Sequence, residues 1–467
     1  MATALYLLNS YGDVDTAHRL LSGAITLQPE PYDPADATVL EALSTLLIVC
    51  AYGARGELWA GYDAAAKCTA LPDTLRLLGA TFADPARALP SDWAALDAAV
   101  EALPGTSDPV RIVRIGTAGA YADRLGAMDE PLRRTARGGH SGENNFPAIQ
   151  ASFLWGSHAW FTGQWAELRE VVDDGLALCE ECQYPLRSWT GKFVLACVSA
   201  VCGDFTTARA FADQMDQWGG SRRAHAITCY AAHAKTLIAL SRGDFDEAYH
   251  QACRITPAGT FAPFTGHALW AILHLAEAAV RTGRRDKALE HVQAARDAGL
   301  DTVSPRLRMV LCACAALAAE DDCEASRGFG EALAVEGAER WPFDHARIHL
   351  VHGERLRRGQ APARARHHLR AAAEVFRRLG AAPWSARAEQ ELRACGGPVR
   401  ARPGAALTPQ QREIVALAAA GLSNKQIAGK LFLPPRTVST HLYQAFPKLG
   451  VTSRAGLRDA LEQLHRP

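Results

Sequence analysis

Residues 407–457 read LTPQQREIVALAAAGLSNKQIAGKLFLPPRTVSTHLYQAFPKLGVTSRAGL, and this stretch decides the fold of the C-terminal part of the chain. Its segment TPQQ at 408–411 has the order of a capping box, with a hydroxyl N-cap, proline at the first helical position and glutamine at the third. The segment SNKQ at 423–426 repeats that spacing shortly after Gly421. The pattern predicts one helix that ends at Gly421 and a second, short helix that begins just after it.

A third helix is predicted after Pro434 and Pro435, where apolar residues recur at three- and four-residue intervals. Pro435 suits the first helical turn, whereas Pro447 is expected to fray or bend the last turn. The apolar stripe consists of Val438, Leu442, Ala445, Phe446 and Leu449. The opposite, exposed face consists of Arg436, Ser439, Thr440, Tyr443 and Gln444. A last helix is predicted from Ser453, with Leu457, Leu461 and Leu464 in line.

Two short helices joined by a tight turn, the second with a polar exposed face, fit a helix-turn-helix. Residues 407–467 resemble the LuxR-type DNA-binding domain in an ordered series of positions. These are Leu407-Thr408, GLSNKQIA at 421–428, Thr437-Val438, His441-Leu442, KLGV at 448–451 and Arg454. The resemblance implies a four-helix domain that binds double-stranded DNA as a homodimer.

The LuxR-type pattern also implies roles for single residues, because one helix of such a domain lies in the major groove. Base contacts are implied for Ser439, Thr440 and Tyr443. Phosphate contacts are implied for Lys425, Arg436, Thr437, His441 and Lys448. A dimer contact is implied for Leu457, Leu461 and Leu464. Two positions depart from the pattern: Pro434 replaces a helix-capping residue, and Pro447 replaces a helix-compatible, often basic residue.

The rest of the chain contains an internal repeat, which is clearest in a small turn motif. Four glycines follow one another at intervals of 40 residues: Gly163, Gly203, Gly243 and Gly283. The residue five positions later is Leu168, Ala208, Ala248 or Ala288. Each glycine can supply the left-handed residue that ends one helix, and each alanine lets the next helix approach closely. Related turns are predicted at Gly12, Gly56 and Gly359. Helical apolar spacing around these turns predicts helix hairpins that stack on their neighbours.

This pattern resembles tetratricopeptide-like α-helical repeats over residues 1–395, with a unit longer than the roughly 34 residues usual for that class. The segment ARGGHSGENNFP at 136–147 predicts a long loop that divides the array. The segment GGPVRARPGAA at 396–406 predicts a linker. The predicted fold class is therefore all-α: a tetratricopeptide-like helix-hairpin array, a linker, and a four-helix LuxR-type helix-turn-helix domain at 407–467.

Composition and charge indicate how many domains the chain forms and which class of molecule it binds. The 467 residues are too many for one compact core, and 48% apolar and 21% charged residues are typical of a folded protein. Residues 396–467 carry 10 Lys and Arg against 3 Asp and Glu, a net +7, whereas residues 1–395 carry 40 against 47, a net −7. A basic C-terminal segment on an acidic body predicts a polyanionic partner.

The start of the chain, MATALYLLNSYGDVD, lacks the basic residues and long apolar run of a signal peptide. The longest apolar stretch, at 42–54, is too short to span a membrane. The cysteines are expected to be reduced, buried hydrophobic residues. These features predict a cytoplasmic protein with no membrane partner.

A helical-repeat body followed by a LuxR-type domain resembles the large ATP-binding LuxR-type regulators. Their N-terminal module has a P-loop of the form Gly-x4-Gly-Lys-Ser/Thr, which this sequence lacks. The two Gly-Lys pairs are followed by Phe193 and Leu431, so neither offers a hydroxyl for magnesium. We expect no ATP-binding switch and no cofactor.

Two further groups of side chains have the spacing of a metal or redox site. Cys179 and Cys182 have CxxC spacing but no second ligand pair. His345, His349 and His352 share one helical face, without a carboxylate or cysteine placed to complete a site. We expect structural roles for both groups and no metal site.

The sequence predicts a transcriptional regulator whose C-terminal helix-turn-helix reads an operator and whose repeat array receives a protein or small-molecule signal. An alternative is a protein-interaction scaffold with a degraded DNA-binding domain, because Pro434 and Pro447 depart from the family pattern. The sequence shows no nucleophile–base pair and no Gly-rich phosphate loop, so we expect no enzymatic activity.

Overall fold

The computed structural model describes residues 13–27, 36–67, 71–141, 145–395, 407–431, 433–449, 451, 454–457 and 460–461. The chain divides into two compact units, residues 1–389 and 390–467. The described residues form helices, turns and connections without a β-strand, which confirms the predicted all-α fold class. The predicted linker at 396–406 lies outside the described residues.

The first part of unit 1 is built from short and irregularly connected helices. They are α1 (Val14–Thr26), α2 (Ala37–Gly53), α3 (Gly56–Lys67), α4 (Asp73–Leu77), α5 (Pro90–Glu101), α6 (Pro109–Gly119) and α7 (Asp129–Arg137). A π-helical segment, Leu78–Ala83, continues α4. The turn predicted at Gly56 uses Ala54 instead, whose φ is +47°, and Gly56 begins α3. The turn predicted at Gly12 lies outside the described residues.

The remainder of unit 1 is a series of helix hairpins. They are α8 (Asn145–Thr162) with α9 (Trp165–Glu181), α10 (Pro185–Cys202) with α11 (Phe205–Ser221), α12 (His225–Arg242) with α13 (Phe245–Ile255), α14 (Ala268–Arg281) with α15 (Arg285–Asp297), α16 (Pro305–Ala318) with α17 (Asp322–Leu333), and α18 (Pro342–Arg358) with α19 (Pro362–Leu379). Helix α20 (Ala382–Ala394) follows them. The first helix of each hairpin packs on the first helix of the next, whereas the second helix keeps one face exposed.

The four evenly spaced glycines end the first helices of four hairpins in the predicted conformation. Their φ angles are +77°, +95°, +76° and +75° for Gly163, Gly203, Gly243 and Gly283. The small residues Ala208, Ala248 and Ala288 are completely buried, which agrees with a close approach of the following helix. The turn at Gly359 differs, because its φ is −77° and the left-handed residue is Gln360 at +58°.

The loop predicted at 136–147 is shorter than expected. Helix α7 continues to Arg137, a 3₁₀ turn spans Gly138–Ser141, and α8 begins at Asn145. One glycine that suggested a loop serves packing instead: a Cβ at Gly139 would lie 2.6 Å from the Ala148 Cβ atom. Gly139 therefore allows two helical segments to come close together.

A buried network of charges joins distant repeats of unit 1. Arg347 donates a hydrogen bond to Glu277 over 2.8 Å, and Arg387 donates to Glu277 over 3.1 Å and to Glu354 over 2.7 Å. Burial opposes ionisation of Glu277, but Arg387, Arg347 and Arg281 outweigh it and hold the pKa of this carboxyl at about 2. The network therefore consists of charged, mutually compensated groups.

Candidate nucleic-acid interface

The described part of unit 2 is a small helical domain with its own core. Its helices are α21 (Pro409–Ala419), α22 (Asn424–Leu431) and α23 (Pro435–Ala445), followed by 3₁₀ turns at Pro447–Leu449 and Arg454–Gly456. In the predicted last helix, the described residues Leu457, Ala460 and Leu461 are helical. The core consists of Ile414, Val415, Ala418, Ile427, Ala428, Val438, Leu442, Ala445 and Leu457.

Both predicted capping boxes are present. The Gln411 amide donates to the Thr408 hydroxyl and the Thr408 amide donates to the Gln411 side chain, each over 3.2 Å. Likewise, the Ser423 amide donates to the Gln426 side chain over 2.8 Å, and the Gln426 amide donates to the Ser423 hydroxyl over 3.4 Å. Gly421, with φ at +93°, makes the turn between the two helices. The start of each helix is thereby fixed by its own sequence.

Helix α23 begins with the two prolines and presents the predicted polar face. Pro434 is its N-cap residue and makes no side-chain capping bond, while Pro435 occupies the first helical position. Val438, Leu442 and Ala445 are buried. The exposed positions are Arg436, Ser439, Thr440, Tyr443 and Gln444. The split between an apolar and a polar face therefore agrees with the sequence prediction.

The three residues predicted to contact bases all lie on this exposed face, but two of their hydroxyls are already engaged. Ser439 donates to the Pro435 carbonyl over 3.2 Å and accepts a bond from the Asn424 amide group over 2.9 Å. Thr440 donates to the Arg436 carbonyl over 3.0 Å. Tyr443 is 58% exposed. In this arrangement Ser439 and Thr440 present acceptor lone pairs to the surroundings.

The residues predicted to contact phosphates differ in exposure. Lys425 and Arg436 are exposed, whereas Thr437, His441 and Lys448 are half-buried. The Lys448 ammonium donates to the Gln411 side chain over 2.8 Å. The structure therefore leaves Lys425 and Arg436 as the most accessible cations among the five predicted positions.

The predicted dimer contact requires a correction. Leu457 has no exposed surface, because it completes the core of its own domain. A residue buried in this way cannot contact a second subunit while the domain stays folded. Leu461 is partly buried and packs against the same core. Leu464 lies outside the described residues.

Two residues that were given no role in the sequence prediction hold the helix-turn-helix together. Asn424 donates to Ser439, and its side-chain oxygen accepts a bond from Arg454 over 2.6 Å. Arg454 also donates to the Leu422 carbonyl. Arg454 belongs to the quoted family pattern, but its partners Asn424 and Leu422 lie about 30 residues earlier in the chain, and only the tertiary fold brings them together. These bonds connect the turn, α22, α23 and the segment that leads into the last helix.

Pro447 lies beyond the end of α23. The helix ends at Ala445 with Phe446 as its C-cap residue, and Pro447 begins the following 3₁₀ turn. The last turn before Leu449 is therefore not α-helical, which agrees with the prediction that Pro447 affects only the end of the helix. Residues 435–445 of α23, which include the predicted base-contacting positions, form a complete α-helix.

Comparisons with known proteins agree with this geometry. The family model described as bacterial regulatory proteins, luxR family, matches residues 405–460. The C-terminal unit contains a LuxR-family helix-turn-helix domain. Three relatives share this LuxR-family domain with the chain. A putative HTH-type transcriptional regulator of Mycobacterium bovis is 52% identical over 59 residues, which are 13% of this chain and 7% of the relative.

The transcriptional regulatory protein MctR of Rhizobium johnstonii is 47% identical over 51 residues, 11% of this chain and 24% of that protein. The probable HTH-type transcriptional regulator GfsR of Streptomyces halstedii is 45% identical over 53 residues, 11% of this chain and 22% of that protein. The chain thus spans only 7–24% of the length of these relatives, and each match covers 51–59 residues.

The remaining groups with metal or redox spacing are the CxxC cysteines and clusters of possible metal ligands. Burial raises the pKa of Cys179 to about 12, so its thiol stays protonated, and Cys182 accepts a hydrogen bond from Asn145 over 3.1 Å. Among the described residues, no group of three or more His, Cys, Asp or Glu is placed to hold a metal ion. In the same ranges, no helix combines the length and apolar content needed to cross a bilayer.

Proposed function

We propose that the protein is a DNA-binding transcriptional regulator whose LuxR-family domain reads an operator with α23. The observation that carries this proposal is the complete helix-turn-helix core beneath an exposed polar face on α23. Such a helix fits the width of the major groove of B-form DNA. An intact α23 also favours DNA binding over the alternative of a scaffold with a degraded domain.

The hydrogen bonds within α23 suggest which base edges it recognises. Ser439 and Thr440 direct their hydroxyl protons to backbone carbonyls and offer acceptors outward. Amino groups of adenine and cytosine are the donors in the major groove. The exposed Tyr443 hydroxyl can donate or accept. We expect these three side chains to supply base contacts, with amino groups of adenine or cytosine opposite Ser439 and Thr440.

Phosphate contacts are proposed for the residues around this face. Exposed Lys425 and Arg436 are placed at the start of α22 and of α23, respectively. Thr437, His441 and Lys448 flank the same region with smaller exposed areas. Helix N-termini and cations together favour the phosphate backbone and fix the orientation of the reading helix.

We also propose that the protein binds DNA as a homodimer, but without Leu457 in the contact between the two copies. Since Leu457 belongs to the domain core, Leu461 and the residues after it are the candidates for contact with a second copy. A homodimer would read a palindromic site with half-sites about one helical turn apart. The repeat array is proposed to receive a protein or small-molecule signal, and no enzymatic step or cofactor is part of the proposal.

In vitro selection from a random duplex library tests the proposal with the full chain. We expect an enriched, palindromic motif and an affinity for it that falls steeply as salt is raised. Recovery of unenriched sequences, with the same weak affinity for every duplex, would contradict sequence-specific regulation and favour a scaffold.

A further inference from the structure

Unit 1 contains a partly open cavity that none of the preceding assignments uses. Its wall is formed by α2, the π-helical segment Leu78–Ala83, the end of α6 with the 3₁₀ turn Ala120–Ala122, α8, α10, α12, the connection before α14 and the start of α14. About 90 Å³ of it can be reached by the centre of a water molecule. That is room for several waters, and it is smaller than the roughly 150 Å³ that holds benzene in an apolar protein cavity. A bound ring would therefore extend toward the open side of the cavity.

The connection between α13 and α14 closes one side of this cavity. It spans 12 residues, 256–267, whereas three residues separate α9 from α10 and α11 from α12. Phe264 adopts a φ of +62°, a conformation that is unfavourable for a bulky residue, and its ring stacks on Trp59 at 4.5 Å. A Cβ at Gly266 would lie 2.6 Å from a ring carbon of Tyr121. A long, constrained segment that covers a cavity is typical of a binding site.

The cavity contains a buried positive charge that the described residues do not neutralise. Arg187 is 7% exposed and lines the cavity. Its guanidinium donates to the neutral Gln150 side chain over 3.1 Å and stacks over the Phe146 ring at 4.6 Å. Its Nε atom is buried without a hydrogen-bond partner, and the side-chain group that it bonds among the described residues, Gln150, carries no charge. A buried guanidinium of this kind favours an anionic partner, most of all a carboxylate.

The remaining wall is mainly aromatic. Phe193 stacks on Tyr230 at 4.8 Å, and Tyr121 meets Trp270 edge to face at 5.0 Å. The Trp270 indole nitrogen is buried without a hydrogen-bond partner. Aromatic walls favour flat rings, and an unpartnered N–H offers a donor to a second polar group on such a ring.

We propose that this cavity binds a single-ring aromatic carboxylate, with the carboxylate on Arg187 and the ring among Phe193, Tyr121 and Trp270. This inference rests on the proposed function, since it names the chemical class of the signal that the repeat array receives. It explains why the chain keeps an arginine buried beside neutral and aromatic side chains. In the complex, the carboxylate of the ligand would pair with the guanidinium charge that the described residues leave unpaired.

Calorimetry and thermal shift with the full chain test the assignment. The probes are benzoate, phenylacetate and 4-hydroxybenzoate, each at up to about 10 mM, with benzamide and acetate as matched controls. We expect at least one aromatic carboxylate to bind about tenfold or more tightly than benzamide, which lacks the charge, and than acetate, which lacks the ring. These comparisons use the wild-type protein and do not depend on how a variant folds.

Three variants locate the site. Arg187→Gln should remove the preference for the carboxylate, Arg187→Lys should keep part of it, and Arg209→Gln, at an exposed position on α11, should change nothing. Equal binding of benzoate and benzamide, no binding of any aromatic carboxylate, or full binding by Arg187→Gln would each overturn the proposal. DNA affinity is measured on the same samples without ligand. Ligand binding with no sequence-specific DNA binding would refute the proposed function alone.

Discussion

Asn424 on α22 donates a hydrogen bond from its side-chain nitrogen to the Ser439 hydroxyl on α23 over 2.9 Å. The oxygen of the same amide accepts a bond from Arg454 over 2.6 Å. One amide therefore joins α23 to both the preceding helix and the following segment. The bond to Ser439 and the hydrogen bond that Gln411 on α21 donates to Gln444 on α23 over 3.3 Å are directional contacts that help to orient α23, whereas the core contacts are apolar and non-directional.

Asn424→Ala should loosen the helix-turn-helix. We expect a loss of about 1–2 kcal/mol of local stability, since two hydrogen bonds are removed from a partly buried position. Amide hydrogen exchange of residues 424–445 in the full chain should become faster, and DNA affinity should fall. Gln410→Ala, at an exposed site on α21, is the control. Unchanged exchange in Asn424→Ala would show that the apolar core and the Gln411–Gln444 bond set the orientation without Asn424.

Pro434→Ser should stabilise the start of α23. Pro434 is the N-cap residue without a side-chain bond, and serine can accept from an amide of the first turn. The gain is about 0.5–1 kcal/mol, because part of the capping free energy is offset by the greater freedom of the unfolded chain. Slower amide exchange in residues 435–438 is the expected result. Faster exchange there would mean that the rigid proline orders the turn better than a cap does.

The turn glycines should differ in their sensitivity to substitution. Gly243 has open space around its position, so Gly243→Ala should cost about 1 kcal/mol from the left-handed backbone alone. A Cβ at Gly163 would lie 2.6 Å from a Leu379 methyl carbon, so Gly163→Ala should cost a further ~1–3 kcal/mol.

Urea unfolding followed by tryptophan fluorescence measures both variants, because all ten tryptophans precede residue 390. Gly243→Asn is the matched control and should cost less than Gly243→Ala, since asparagine tolerates the left-handed conformation. An equal cost at Gly163 and Gly243 would show that Leu379 moves aside without loss.

The sequence predicted those parts of the fold that depend on local signals. The 40-residue spacing of Gly163 to Gly283 and the capping boxes at Thr408 and Ser423 act through neighbouring residues, and the structure confirms them. The buried pair of Glu277 and Arg347 could not be predicted, because 70 residues separate its members and only tertiary packing brings them together.

In the candidate site, too, the sequence predicted the features set by local signals and missed those set by tertiary packing. Helical periodicity placed Ser439, Thr440 and Tyr443 on one exposed face, as the structure shows. Periodicity also put Leu457 in a stripe with Leu461, but it could not tell a core position from a subunit contact. The role of Asn424 and the charge of Arg187 inside a cavity depend on residues far apart in the chain.

Unit 1 should lose stability below about pH 6.5, because its buried histidines are held neutral. Burial, with Arg347 and Arg306 adding to it, lowers the pKa of His233 to about 3, and burial lowers the pKa of His267 and His274 well below the ordinary value. The unfolded chain takes up these protons near pH 6.5 and the folded chain does not, so stability is full above that pH and declines as pH falls.

His274→Leu should reduce this pH dependence. Both ring nitrogens of His274 are buried without hydrogen-bond partners, so leucine removes a group that must stay neutral. At pH 5 the slope of unfolding free energy against pH should fall by about 1.4 kcal/mol per pH unit, which corresponds to one proton. His250→Gln, at an exposed position on α13, serves as the control. An unchanged slope in His274→Leu would assign the acid sensitivity to other groups.

The affinity of Tyr443→Ala for its selected duplex and for a scrambled duplex, measured by fluorescence anisotropy over a salt series, tests the reading role of α23 most directly. We predict a loss of ~1–3 kcal/mol on the selected duplex and little change on the scrambled one. Lys425→Ala should weaken both duplexes alike and lower the salt slope by about one. If Tyr443→Ala weakens both duplexes equally, or Lys425→Ala alters only sequence preference, α23 does not read the bases as described.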